Sequence, residues 1–77
     1  MPYVIDPSLT LAHLEQAERH VREGEWRLEA QRKLVANLES RGCRTDQAKI
    51  LLGHFEIALS AQIESRARLR KQAEGIV

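Results

Sequence analysis

Apolar residues recur every seven positions in the first half of the chain. One heptad position, called a here, is apolar in four successive repeats, and the d position three residues later is small, polar or apolar. The a residues are Leu14, Val21, Leu28 and Val35, and the d residues are Ala17, Gly24, Gln31 and Leu38. This seam predicts one long helix that packs against another helix along a single stripe.

A second seam occupies the other half of the chain. Its residues are Ala48, Phe55, Gln62 and Leu69, with Leu52, Leu59, Arg66 and Ala73 four residues after each, and Leu51 and Ala58 widen the stripe. Because only a few residues separate the two seams, the helices must run antiparallel with their seams facing each other. We therefore predict an all-α fold, an antiparallel two-helix hairpin.

Capping residues give the predicted boundaries. Asp6 followed by Pro7 is typical of a helix start, and Gly42 of a helix end. Thr45 is a good second N-cap, and Gly75 is expected to stop the second helix. The prediction is a single domain, 1–77, with an extended leader at 1–6, helices at 7–41 and 45–73, and a turn at 42–44.

A second apolar surface predicts a partner. At roughly 100° per residue, a strip of small and apolar residues falls on the side of the second helix away from its seam, and a tryptophan lies opposite the first seam. A chain of 77 residues has a small core, so covering this surface favours a homodimeric four-helix bundle. Alternatives are a helix of another protein and scattered surface residues without a role. The predicted interface is Trp26, Ile50, Gly53, Ile57 and Ala61, and Ile57→Glu is expected to give a monomer or an unfolded chain.

Composition sets the expected surroundings. The chain is 43% hydrophobic and 30% charged, with a net charge of +1, which is typical of a folded, charge-rich helical protein. It has a single cysteine, no long apolar run and no basic start before an apolar stretch, so we expect no membrane partner and a cytoplasmic location. Five Glu residues precede a basic residue by four positions, which favours exposed helix faces. The pairs are Glu15–Arg19, Glu18–Arg22, Glu23–Arg27, Glu29–Lys33 and Glu64–Arg68.

Residues that carry chemistry are few and scattered. His20 and Glu23 have the spacing of two ligands on one helix face, but His13 lies seven residues before His20 and Gln16 stands between the two histidines. Cys43 has arginines on both sides in the turn but no second cysteine to resolve it. We therefore expect no metal, no cofactor and no enzymatic activity.

A basic run near the end of the second helix supports one alternative function. Its residues are Arg66, Arg68, Arg70 and Lys71. Such a cluster fits phosphate contacts, and the ROP protein grips paired RNA with a helical-hairpin dimer. The alternative prediction is therefore a nucleic-acid-binding regulator of that architecture. The near-neutral net charge and the scarcity of aromatic residues argue against nucleic-acid binding as the first choice.

Several short motifs resemble a known group of proteins. They are His20 to Glu25 (His-Val-Arg-Glu-Gly-Glu), preceded by His13; Gln31-Arg32; Leu38-Glu39 with Gly42; Thr45, Ala48, Leu51 and Leu52; and Phe55-Glu56. The chain resembles short helical proteins of rhizobia and related alphaproteobacteria over 13–69, and no activity is known for them. The resemblance implies a helical protein of a soil-type bacterium. Such proteins often carry a histidine near Ser60 or Ala61, where this chain has none, which puts a shared metal site in doubt.

The function predicted from the sequence is therefore protein–protein interaction. We expect a small adaptor or regulatory module that acts as a homo-oligomer, most simply a dimer.

Overall fold

In a computed structural model, the protein consists of two long helices joined by a short turn. The structure describes residues 6–76, with the side chain of residue 76 left aside. Helix α1 spans Pro7–Ser40 and helix α2 spans Asp46–Ile76, and the two pack against each other. The described residues contain no strand, so the predicted all-α hairpin is confirmed. The fold is a single layer of helices with extents of 60 × 19 × 14 Å.

Capping hydrogen bonds fix the two ends of α1. The Asp6 Oδ1 accepts from the Ser8 N–H at 2.9 Å, with Pro7 at the first helical position. At the other end, the Cys43 N–H donates to the Leu38 carbonyl at 2.9 Å, and the Gly42 N–H donates to the Glu39 carbonyl at 3.1 Å. Gly42 has a φ of +69°, which glycine adopts without the Cβ clash of other residues. This Schellman motif satisfies the last carbonyls of α1 and reverses the chain.

The observed helix bounds correct three predicted ones. Helix α1 ends at Ser40, because Arg41 is its C-cap and has left the helical conformation. Helix α2 begins at Asp46, one residue later than predicted, and the Thr45 carbonyl accepts from the Lys49 N–H. It continues to Ile76 rather than 73, since Gly75 lacks the positive φ that would end it. The leader predicted at 1–6 lies outside the described residues, apart from Asp6.

The predicted seam of α1 faces α2 and forms the core. The buried residues of α1 are Thr10, Ala17, Val21, Gly24, Leu28, Gln31 and Val35. All of them are a or d positions, Thr10 extends the predicted seam by one d position, and Leu14 between Thr10 and Ala17 is only half-buried. From α2, Leu59 is buried against Val21 and Leu28, and Leu52 and Phe55 pack around this cluster while staying half-buried. The core is narrow because each helix contributes only one stripe, and its buried apolar side chains are all aliphatic.

Two glutamines interrupt this apolar seam. The Gln31 Nε2 donates to the Ala48 carbonyl at 2.9 Å, which ties α1 to the first turns of α2. Gln62 lies against Gly24, where the contact between the helices is tight: a Cβ built on Gly24 would fall 2.6 Å from the Gln62 Oε1. That Oε1 is buried and accepts no hydrogen bond. Gln31 thus has a hydrogen-bond partner on the other helix, whereas the Gln62 Oε1 has none and only packs against Gly24.

Candidate interaction surface

The two flanks of the seam differ in chemistry. In α1 the g positions, just before each a residue, lie on one flank, and the e positions, just after each d residue, lie on the other. In an antiparallel pair, the g positions of both helices lie together on one flank, and the e positions of both helices lie together on the other. We call the g side the groove face and the e side the ion-paired face. The g residues are His13, His20, Arg27 and Leu34 in α1 and Leu51, Ala58, Ser65 and Gln72 in α2. No carboxylate stands among them.

Ion pairs between the helices lie on the other side. The Glu39 Oε1 is 3.2 Å from the Lys49 Nζ near the turn, and the Glu18 Oε1 is 3.7 Å from an Arg70 guanidinium nitrogen toward the open end. All four residues occupy e positions and are at least one-third exposed. None of the five Glu-first pairs predicted within one helix closes to 4.0 Å in the described part of the chain. One glutamate of those pairs, Glu18, is instead paired across the seam with Arg70.

Apolar side chains surround a depression on the groove face near the turn, which we call the turn-end groove. Its volume is about 470 Å³. Leu34, Ile50 and Leu51 line it and are 46%, 59% and 42% exposed. The other lining residues are Gln31, Gln47, Ala48 and His54. The groove is shallow and open to water, so it suits a flat apolar partner surface better than an enclosed small molecule.

A second depression lies on the same face toward the open end of the hairpin. This open-end groove has a volume of about 350 Å³. His13 and His20 border it from α1, and Arg68 from α2. Its other lining residues are Gln16, Ala17, Gln62, Ser65, Leu69 and Gln72. Unlike the turn-end groove, it is rimmed mainly by polar side chains over the small apolar floor of Ala17 and Leu69.

The interface residues predicted from the sequence fall on different sides of the hairpin. Ile50 lines the turn-end groove. Trp26 and Ile57 are 73% and 71% exposed, but each sits on its own helix away from the seam, so both helices lie between them. Gly53 is half-buried with open space around its Cβ position, and Ala61 is exposed. The structure thus joins Ile50 to Leu34 and Leu51, and it does not join Trp26 to Ile57.

The basic run of α2 does not form one basic face. Arg66 is half-buried at a seam position, and Arg68 borders the open-end groove. Arg70 is paired with Glu18 on the ion-paired face, while Lys71 is exposed on the outer side of the helix. Consecutive residues on a helix are about 100° apart. By this spacing Arg66 and Arg70 lie about 40° apart and Arg68 and Lys71 about 60° apart. The run therefore divides between two sides of α2.

The histidines and the cysteine are not gathered into one site. His13 and His20 border the open-end groove, whereas His54 borders the turn-end groove. Within residues 6–76, no group of three His, Cys, Asp or Glu side chains is placed to hold a metal ion. Cys43 is exposed in the turn, and its Sγ lies 4.0 Å from the Arg41 carbonyl oxygen.

Sequence reasoning missed the groove face. It placed Leu51 at the edge of the seam and did not single out Leu34. The signal was present in the heptad pattern, because the g positions of both helices lack carboxylates while the e positions carry Glu18, Glu25, Glu39 and Glu56.

Comparisons with known proteins add no constraint to this geometry. No protein-family model, curated protein or solved structure matches the chain. The resemblance to short rhizobial proteins stays a prediction. Neither described helix has a stretch both long and apolar enough to cross a membrane.

Proposed function

We propose that this chain is a protein–protein interaction module that works as a homodimer, with the turn-end groove of one copy against that of the other. The observation that carries the proposal is the distribution of apolar side chains. Eight large ones in the described residues are exposed, whereas five apolar side chains are buried and only Val21 is almost completely so. A fold that exposes more large apolar residues than it buries gains stability from a partner.

The exposed area is large enough to supply an interface. The chain exposes 6191 Å², whereas a compact globular protein of 8.8 kDa exposes about 4,800 Å². The excess over the whole chain is about 1,400 Å², and the described residues form a single layer of helices that meets water on both faces. A standard interface buries about 800 Å² per partner. A second copy can therefore cover one face and still leave the other in water.

The turn-end groove is the part of this surface best suited to a second copy. Leu34, Ile50 and Leu51 stand together there without a charged neighbour among the lining residues. A two-fold axis places each of these side chains against the same cluster, as in an isologous dimer. Apolar surface is complementary to itself, whereas the ion-paired face would oppose like charges at several points. The result is a four-helix bundle over the turn halves of the two chains.

The choice of a second copy over another protein rests on this self-complementarity. The proposal includes an adaptor or regulatory role, because the dimer leaves other faces of the hairpin in water, where they are free to bind a further protein. Nucleic acid receives less support, since the four cations of 66–71 divide between two sides of α2 and one of them, Arg70, is paired with Glu18.

Native mass spectrometry of the untagged chain at about 10 µM tests the proposal. The expected spectrum has one main species at twice the 8.8 kDa chain mass with no adduct. A monomer that persists as the concentration is raised tenfold would contradict the homodimer. A mass increment from copurified nucleic acid would instead favour the regulator that uses Arg66, Arg68, Arg70 and Lys71.

A further inference from the structure

The open-end groove has a lining of hydrogen-bond donors without an acidic residue. His13, His20 and Arg68 border it, and the remaining polar lining consists of three glutamines and Ser65. The chain carries 11 acidic residues, and none of them contributes to the groove. Each polar lining side chain has at least one N–H or O–H group to donate.

Arg68 places a positive charge at this groove. Within residues 6–76, no carboxylate lies within 4.0 Å of its guanidinium, although Glu64 is one turn away on the same helix. Arg70, two residues further, is paired with Glu18 on the opposite face. The Arg68 guanidinium, with five donors in a planar fork, is matched to carboxylate and phosphate groups.

The orientation of Gln62 adds a donor to the same wall. Its Oε1 is buried against Gly24, which leaves the Nε2 as the end of that amide available to a ligand. Ala17 and Leu69 form an apolar floor beneath these groups. At about 350 Å³ the groove is within the range of small-ligand sites.

From this arrangement we infer that the open-end groove binds an anionic ligand through its oxyanion groups, either carboxylate or phosphate. Arg68 supplies the charge, Gln62, Ser65 and Gln72 supply neutral donors from α2, and His13 and His20 close the site from α1. One chain forms the whole groove, so this inference stands independently of the homodimer.

Two small polyanions serve as probes that separate the two oxyanion classes. Citrate carries only carboxylates and pyrophosphate only phosphates. Each is titrated into the ¹⁵N-labelled full chain at constant ionic strength, and backbone and histidine ring shifts are followed by NMR. The expected result is saturable binding of at least one probe, with the largest shifts at His13, His20 and 62–72. The probe that binds more tightly identifies the oxyanion class.

Matched charge-removing variants make the test specific. Arg68→Gln removes the groove cation and should weaken binding about tenfold, the loss expected for a charge-assisted hydrogen bond. Lys71→Gln removes one exposed charge from the same helix. Its affinity should stay within about twofold of the wild type, because Lys71 does not line the groove and its charge acts on a bound anion only through screening solvent. Far-UV circular dichroism confirms the fold of both variants. Shifts that rise linearly without saturation for both probes, or equal losses in the two variants, would overturn the inference.

Discussion

Gln62 of α2 packs against Gly24 of α1, which has no side chain to hold the two helices apart. A Cβ on Gly24 would fall 2.6 Å from the Gln62 Oε1 and 3.1 Å from the Leu59 Cδ1. Both distances are shorter than ordinary van der Waals contact. A glycine in the middle of a 34-residue helix weakens that helix, so its place here reflects the close approach of α2.

Comparing two helical glycines isolates the effect of this contact. A Cβ at Gly53 would meet nothing within 4 Å, so Gly53→Ala should raise the free energy of unfolding by about 1 kcal/mol through helix propensity alone. Gly24→Ala has the same propensity gain but must displace Gln62 and Leu59. We expect its net effect to be at least about 1 kcal/mol less favourable than that of Gly53→Ala. Urea unfolding at one fixed chain concentration measures both, and equal stabilisation would contradict the close packing at Gly24.

The two seam glutamines should respond differently to the same substitution. Methionine replaces the amide of either residue with an apolar group of similar length. Gln62→Met removes a buried acceptor that has no hydrogen bond, whereas Gln31→Met removes the bond to the Ala48 carbonyl. Gln62→Met should therefore be the more stabilising of the two, by about 1 kcal/mol. Thermal unfolding at matched concentrations checks this difference, and a larger gain from Gln31→Met would be evidence against it.

The ion pairs across the seam should contribute little. The Glu39–Lys49 pair has the shortest N–O distance, 3.2 Å, but both side chains are more than half exposed. Lys49→Gln should lower the free energy of unfolding by no more than about 0.5 kcal/mol. This loss should disappear in 1 M NaCl, where the Debye length is about 3 Å. A larger loss of unfolding free energy that persists at high salt would contradict this small, screened contribution.

Much of the hairpin could be predicted from the sequence because heptad periodicity and capping are local. The a and d positions identified the buried stripe of α1, and Asp6 and Gly42 act as the caps that their residue types suggest. The end of α2 was wrong because a glycine permits a left-handed C-cap without requiring one. Nothing near Gly75 in the sequence distinguishes these cases.

The candidate site was harder to predict because it depends on which flanks the two helices share. Periodicity on one helix identified Ile50 and Ile57 as apolar residues off the seam. It could not place Leu34 beside Ile50 and Leu51, since that contact depends on the register between α1 and α2. The register in turn rests on contacts between distant residues, such as the Gln31 bond to Ala48.

The most direct test of the proposed homodimer compares two apolar-to-charged substitutions by sedimentation equilibrium. Leu34→Glu places a charge in the turn-end groove, whereas Ile57→Glu places one on the outer side of α2. Both side chains are exposed in the single chain, so the helical content of both variants should match the wild type by circular dichroism. We predict that the wild type and Ile57→Glu sediment as dimers and that Leu34→Glu sediments as a monomer. This prediction for Ile57→Glu replaces the one made from the sequence alone, because Ile57 does not line the turn-end groove. A dimer that survives Leu34→Glu but dissociates with Ile57→Glu would contradict the groove-face interface and support the outer strip of α2 instead.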